Sequence, residues 1–276
     1  MLPDLSNSMY VARLRYIQTI HESPERRNPD TLVKHFLSFS TRLRAGWLGQ
    51  GKLAQLRSDP FYYYLVARTK YYDQVVKDAV ADGVERLINI GCGSDTRAYR
   101  FQELLASKGV SILECDQADS INNKKKMTQD WRKSNPVEHL AIDLNDGTWP
   151  VLENQIESRK VKTLVLIEGV SPYIDEASWG QFLDLLATKL VPGSHVAYDF
   201  KIAGVKDDFG KGGRTMKPFR LTRSNQEVAA FHGKHNLGLE HMELGPQLTT
   251  RLLPDLNGSS PRFEEDGLLR LRVGKL

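Results

Sequence analysis

The sequence predicts an α/β protein, a mostly parallel sheet covered by helices on both faces and preceded by a helical segment. Five short apolar runs between residues 84 and 200 alternate with helix-length stretches, the pattern of repeated strand–helix–strand units. Upstream of residue 84 the apolar residues instead recur at helical spacing. A chain of 276 residues suits one large α/β domain with additions, or two domains at most.

Taken in order, Asp59-Pro60 supplies an N-cap and a first-turn proline, and Leu65, Thr69, Tyr72, Val76 and Ala79 follow on one helical face. Gly83 is a C′ residue for that helix. We therefore divide the chain into a helical cap at 1–83 and a main domain at 84–276, with a substrate-side insertion around 201–260. The first strand, 86–90, breaks at Gly91-Cys92-Gly93. The second, 110–115, ends at Asp116, and the third, 139–142, ends at Asp143. The fourth, 162–167, ends at Glu168, and the fifth, 194–198, ends at Asp199. The stretch 177–190 places Trp179, Phe182, Leu183 and Leu186 on one side of a helix. Residues 201–223 are rich in Gly and Lys and lack periodicity. A helix is expected at 225–236, a strand at 239–244, and an edge strand at 268–273, where polar and apolar residues alternate.

Composition excludes several functions. The chain is 40% hydrophobic and 26% charged, an ordinary globular balance, and has no apolar run near the roughly 18 residues that span a bilayer. Its start has no basic region followed by an apolar block, so no secretory signal is expected. Two cysteines, Cys92 and Cys115, lie in apolar runs and read as buried free thiols of a reducing, cytoplasmic compartment. A net charge of +4 is too mild to indicate nucleic acid, and nothing points to a membrane. The run Lys124-Lys125-Lys126 reads as solvated surface. Residues 201–223 hold seven Lys or Arg against Asp207 and Asp208, read equally as a lid over an anionic acceptor or as a solvated loop. These two aspartates lack a suitably spaced third ligand, so no metal is expected.

The chemistry lies in what the strands deliver to one edge. Ligands of open α/β sheets bind outside the carboxyl ends of the strands, and four successive strands bring Gly-Cys-Gly, Asp116, Asp143 and Glu168 there. Gly91 and Gly93 let a ligand approach the backbone without meeting a Cβ. A dinucleotide fingerprint asks for a third Gly or Ala where this chain has Thr96, and no Gly-Lys-Ser/Thr forms a phosphate loop. A nucleoside without phosphates fits better. Asp116 can accept both ribose hydroxyls and Asp143 an adenine amino group, with Leu144 on the ring, while Glu168 faces a cation. Ribose, adenine and positive charge without phosphate describe S-adenosyl-L-methionine.

The segment Asn89-Ile90-Gly91-Cys92-Gly93-Ser94-Asp95-Thr96-Arg97-Ala98-Tyr99-Arg100 resembles the glycine motif of the leucine carboxyl methyltransferase family. Supporting matches are Ala67-Arg68-Thr69-Lys70-Tyr71-Tyr72-Asp73, Glu114-Cys115-Asp116, Ala141-Ile142-Asp143-Leu144 and Glu168-Gly169-Val170-Ser171-Pro172-Tyr173. The resemblance covers roughly residues 60 to 200. It implies a Rossmann-like class I methyltransferase with a seven-stranded, mostly parallel sheet and an N-terminal helical cap. It further implies that Arg68 grips the cofactor carboxylate, Gly91 and Gly93 line the methionine part, Asp116 the ribose, and Asp143 with Leu144 the adenine. Glu168 is implied to lie beside the cofactor and Tyr173 near the methyl-transfer channel.

The implied reaction is methyl transfer from S-adenosyl-L-methionine to an oxygen acceptor, a carboxylate or hydroxyl of a small molecule or natural product. A carboxylate needs no base, whereas a hydroxyl does. Arg97, Arg100 or a basic residue of 201–223 is the expected anchor for an anionic acceptor, and Tyr173 is expected to hydrogen-bond it. A peptide C-terminal leucine carboxylate is the alternative acceptor. A nicotinamide-dependent dehydrogenase lacks its third glycine here, and an inactive binding module has no need of Arg68, Asp116, Asp143 and Glu168 together.

Overall fold

A computed structural model describes residues 5–131, 134–205 and 218–274. The helical segment holds α1 (Leu5–His21), α2 (Phe39–Gly46), α3 (Gln50–Arg57) and α4 (Pro60–Ala81). After it come β1 (Arg86–Ile90), α5 (Arg97–Arg100), α6 (Gln102–Ser107), β2 (Ser111–Asp116), α7 (Ala118–Thr128) and β3 (Val137–Ala141). The second half contains α8 (Pro150–Glu157), β4 (Thr163–Ile167), α9 (Glu176–Lys189), β5 (His195–Lys201), α10 (Asn225–Gly233), β6 (Leu237–Leu244), α11 (Gly245–Leu252) and β7 (Asp266–Val273).

The seven strands form one sheet in the order β3-β2-β1-β4-β5-β7-β6. The first five are parallel, and β7 runs antiparallel to both β5 and β6. The expected edge strand at the end of the chain is therefore an interior strand. Its alternation has another cause: Arg270 and Arg272 alternate with the buried Leu269, Leu271 and Val273 and pair with Glu240 on β6. The true edges are β3 and β6.

Strand residues alternate between two cores, as the pleat requires. Leu87, Ile112, Leu164, Leu166, Ala197 and Leu268 face the layer containing α4 and α11. Ile88, Leu113, Val165, Ile167, Val196 and Tyr198 face α8, α9 and α10. Helix α4 begins at the expected cap, Asp59 accepting from the Phe61 N–H at 2.9 Å with Pro60 at the first position. Residues 62–69 are buried on every side, so the first half of the helix is interior, while Gln74, Lys77, Asp78 and Ala81 leave one exposed stripe along the second half. The helical segment thus shares a core with the sheet.

The stretch between α1 and α2 is irregular apart from one 3-10 turn at Val33–Phe36, and it carries a latch. Arg15 on α1 donates to Asp30 at 2.9 Å and to the Ser94 hydroxyl at 2.7 Å, while Thr96 donates to Asp30 at 2.6 Å. Arg15 and Asp30 are both buried, so the start of the chain is bolted onto the loop after β1. Within the lysine run, the expectation of solvated surface holds for Lys125 and Lys126 but not for Lys124. Ile121, Lys124 and Thr128 form the inner stripe of α7, and Lys124 is 1% exposed, with its ammonium 2.7 Å from Glu114 and 3.2 Å from the Cys92 carbonyl.

Replacing one partner of a buried ion pair strands the other charge and costs about 3 kcal/mol or more. Arg15→Met is accordingly expected to lose about 3 kcal/mol in urea unfolding. A loss below about 1 kcal/mol would show that the latch does not secure the helical segment.

Candidate active site

The register of the sheet assembles the site. Ile90 pairs with Cys115 on one side and Ile167 on the other, and Ile167 pairs with Tyr198. One residue further on, Asp116, Gly91, Glu168 and Asp199 therefore stand side by side across four strand ends, about 4.8 Å apart per strand. Asp116, Glu168 and Asp199 share parity with Ile112, Leu166 and Ala197, so all three carboxylates belong to the face covered by α4. Arg68 descends from α4 onto this row, its Nε 3.0 Å from Glu168 Oε1 and its Nη1 3.1 Å from Asp199 Oδ2.

Arg97, which opens α5, reaches the row from the other direction. Its Nη1 donates to Glu168 Oε2 at 2.7 Å and Asp95 Oδ2 at 2.6 Å, its Nε to Asp73 at 2.9 Å, and its Nη2 to the Thr69 carbonyl at 3.3 Å. Arg100 binds Asp73 through both terminal nitrogens at 2.7 Å. The expectation that Arg97 or Arg100 anchors an acceptor meets a physical obstacle. Arg97 is 1% exposed and each of its nitrogens is engaged, while Arg100 is tied to Asp73. Both guanidiniums order the row from within. Of the basic residues at 201–223, Lys206, Lys211, Arg214 and Lys217 lie outside the described residues, as do Asp207 and Asp208. Lys201 pairs with Asp266 at 2.7 Å and Arg223 with Glu264 at 3.4 Å.

The glycine turn is fixed by several contacts. Gly91 has φ +67°, and a Cβ there would stand 2.1 Å from Val170 Cγ2, so only glycine fits. The Gly93 N–H donates to Asp116 Oδ2 at 2.7 Å, and Lys124 holds the Cys92 carbonyl between them. Ser8 on α1 lies over Gly93. Asp143 caps a short 3-10 turn by accepting from the Asn145 N–H at 2.9 Å, and its other oxygen accepts from Gln117 at 2.8 Å. Leu144 beside it is buried. Tyr173 ends a second 3-10 turn, Ser171–Tyr173, half-buried and linked to the Asp143 loop through Asn145. The structure thus brings Arg68, Gly91, Gly93, Asp116 and Glu168 into one row, with Asp143, Leu144 and Tyr173 on the two loops bordering it.

Sequence reasoning missed Asp199, Lys124 and the Arg15–Asp30 latch. Asp199 carried a signal, since it ends the fifth strand as Asp116 ends the second. Burial pushes its carboxyl up to about 6, with Asp266 and Glu168 adding to the rise, and the Arg68 guanidinium and Gly169 N–H opposing it. Burial alone would lower Arg68, but Glu168 and Asp199 hold it above its ordinary value.

These groups suit a cationic nucleoside. Arg68, Arg97 and Arg100 face Asp73, Asp95, Glu168 and Asp199, three positive charges against four negative when all are ionised. The excess matches a ligand whose sulfonium and ammonium outweigh one carboxylate. Asp116 and Asp143 each offer carboxylate oxygens at neighbouring strand ends, the chemistry that ribose hydroxyls and an adenine amine require.

Two outcomes are expected. The native state holds the Asp199 proton up to about pH 6, whereas an ordinary aspartate releases it near 3.8. This group therefore favours folding at low pH and loses that contribution as pH rises through 6. A cationic ligand reverses the preference, so calorimetric affinity for S-adenosyl-L-methionine should rise between pH 5 and 7 in the native chain and stay flat in Asp199→Asn. A similar rise in the variant would assign the effect elsewhere. Gly91→Ala should weaken that binding at least about tenfold, because the methyl group must displace Val170.

A sequence profile of the leucine carboxyl methyltransferase family matches residues 8–187. A protein of Mycobacteroides abscessus with the provisional name S-adenosyl-L-methionine-dependent methyltransferase is 28% identical over 235 residues, 81% of this chain and 70% of its own length. A similarly named protein of Frankia alni is 27% identical over 210 residues, 72% of this chain and 69% of its own. Among solved structures, the [4+2]-cyclase SpnF superposes with a TM-score of 0.51 at 11% identity, covering 77% of this chain and 82% of that one, a likeness of fold alone. The sheet is that of a class I methyltransferase, and the cofactor is S-adenosyl-L-methionine. With the glycine motif, strand-end carboxylates and Arg68 all inside or bordering the matched segment, the chain belongs to the leucine carboxyl methyltransferase family and is an S-adenosyl-L-methionine-dependent methyltransferase.

Proposed function

We propose that the enzyme methylates an oxygen of a small acid, forming a methyl ester. The observation that carries this reading is where the histidines lie. A hydroxyl acceptor needs a base, and the seven histidines are committed away from the strand-end row. His195 sits at the opposite end of β5, bonded to Asp82 at 2.8 Å, and His139 lies 3.3 Å from Glu114 within the sheet. His232 is buried between Tyr198 and the Val228 carbonyl, His235 and His241 pair with Asp184 and Glu243, and His21 binds the Ala45 carbonyl. His35 packs edge-on against Trp131. A carboxylate acceptor is already ionised and requires no such group. The family's name, which refers to a carboxyl acceptor, agrees with this.

In this reading Arg68, whose Nη2 lies near Gly169, holds the cofactor carboxylate, Asp116 the ribose, and Asp143 with Leu144 the adenine. When bound, S-adenosyl-L-methionine supplies a methyl carbon on a sulfonium, an electrophile that the acceptor oxygen attacks in line. Tyr173 orients that oxygen by a hydrogen bond. Arg97 keeps Glu168 and Asp95 in place without touching the acceptor. A protein C-terminal leucine carboxylate is the second reading, favoured by the family name and by the same absence of a histidine from the row.

The test is turnover with panels of carboxylic acids, phenols and peptides ending in leucine, followed by mass spectrometry. Base-labile methyl esters are expected. Methyl ethers formed from phenols would overturn the carboxylate reading, and esters found only on the peptides would favour the second one. Tyr173→Phe should lower kcat about tenfold with little change in KM for the cofactor.

A further inference from the structure

Helix α2 turns a stripe of large apolar side chains to solvent. Phe39, Leu43 and Trp47 are 72%, 42% and 82% exposed, whereas Ala45 on the opposite side is buried against α1. At about 100° per residue the three span roughly 80° of the helix surface, with Arg42 some 60° to one side and Arg44 some 60° to the other. Residues 31–58 contain no Asp or Glu but include Lys34, Arg42, Arg44, Lys52 and Arg57. Beside the stripe, Arg13 and Lys52 line a cavity of about 590 Å³ between α1, α3 and the start of α4, together with Tyr10, Leu48 and one carboxylate, Asp59. Arg13, Arg42, Arg44 and Lys52 form no ion pair among the described residues.

We propose that this face docks the enzyme on an anionic lipid surface, contrary to the expectation of no membrane role drawn from composition. No helix among the described residues is long and apolar enough to cross a bilayer, so the contact is peripheral. Aromatic and leucine side chains projecting between arginines suit the headgroup boundary, where the rings enter the acyl layer and the guanidiniums meet phosphates. The charges argue against a second copy of the chain. A two-fold contact would set Arg42 and Arg44 against their own equivalents with no carboxylate in 31–58 to offset them. The face is also separate from the methyl-transfer site. Ser8 and Arg15 on the inner side of α1 meet the glycine turn, while Tyr10 and Arg13 lie on its outer side.

The test is co-sedimentation of the full chain with phosphatidylcholine vesicles, with and without about one-third phosphatidylglycerol. Binding to the anionic vesicles only is expected, weakening as salt rises, with Trp47 emission shifting to shorter wavelength. Arg42→Gln with Arg44→Gln should weaken binding about thirtyfold, and Phe39→Ser with Trp47→Ser should abolish it. Cofactor binding measured by calorimetry should be unchanged in both variants, which confirms that they fold. Failure to bind either vesicle would overturn the proposal, as would equal binding by the serine variant. Concentration-dependent dimerisation lost in that variant would assign the face to a second copy instead.

Discussion

Glu168 is shared by two guanidiniums that arrive from different parts of the chain, and the site depends on that sharing. One carboxylate oxygen meets Arg68 from α4 and the other meets Arg97 from α5. The two helices flank the end of β1, so the pairings fix the distance between the helical segment and the glycine turn. Each arginine then passes the constraint outward, Arg68 to Asp199 and Arg97 to Asp73 and Asp95. Breaking such a pair leaves a buried charge uncompensated, which costs more than the pair itself contributes. The network is therefore better understood as a device for holding geometry than as a source of stability.

The same network sets the electrical character of the site. Burial of Asp95 would raise its carboxyl, yet Arg97 and Lys124 hold it well below the usual range. Burial prevails at Asp199 instead, where one guanidinium faces Asp266 and Glu168 as well. Two aspartates in one cluster thus respond oppositely to the same loss of water, according to how many cations each can reach. A cationic ligand entering beside Asp199 supplies the counter-charge the protein withholds.

Much of this was legible from residue order. The five parallel strands follow from apolar runs, and the positions of Asp116 and Glu168 follow from each run ending in a carboxylate. The position of β7 was not legible, because alternating residues identify a half-polar strand without saying what covers the polar half. Here Glu240 of the neighbouring strand covers Arg270 and Arg272. Lys124 was misread because three consecutive lysines suggest solvent, although its spacing from Ile121 and Thr128 marks the inner stripe of a helix. The fate of Arg97 was also hidden, since its partners Asp73 and Thr69 lie upstream on another helix. An arginine in a conspicuous motif reveals its charge but not which carboxylates will claim it.

The sheet order has a consequence for how the chain is made. Strand β6 precedes β7 in sequence, yet among the described residues its only sheet neighbour is β7, which also lies between it and β5. During synthesis residues 237–244 leave the ribosome before any strand they can pair with, while β5 waits with one open side. Parallel pairing of β1 through β5 can proceed first, and the final strand then closes two ladders at once. A nascent chain that stalls before residue 266 would carry two unpaired strand edges, the surface that aggregation and chaperones both recognise.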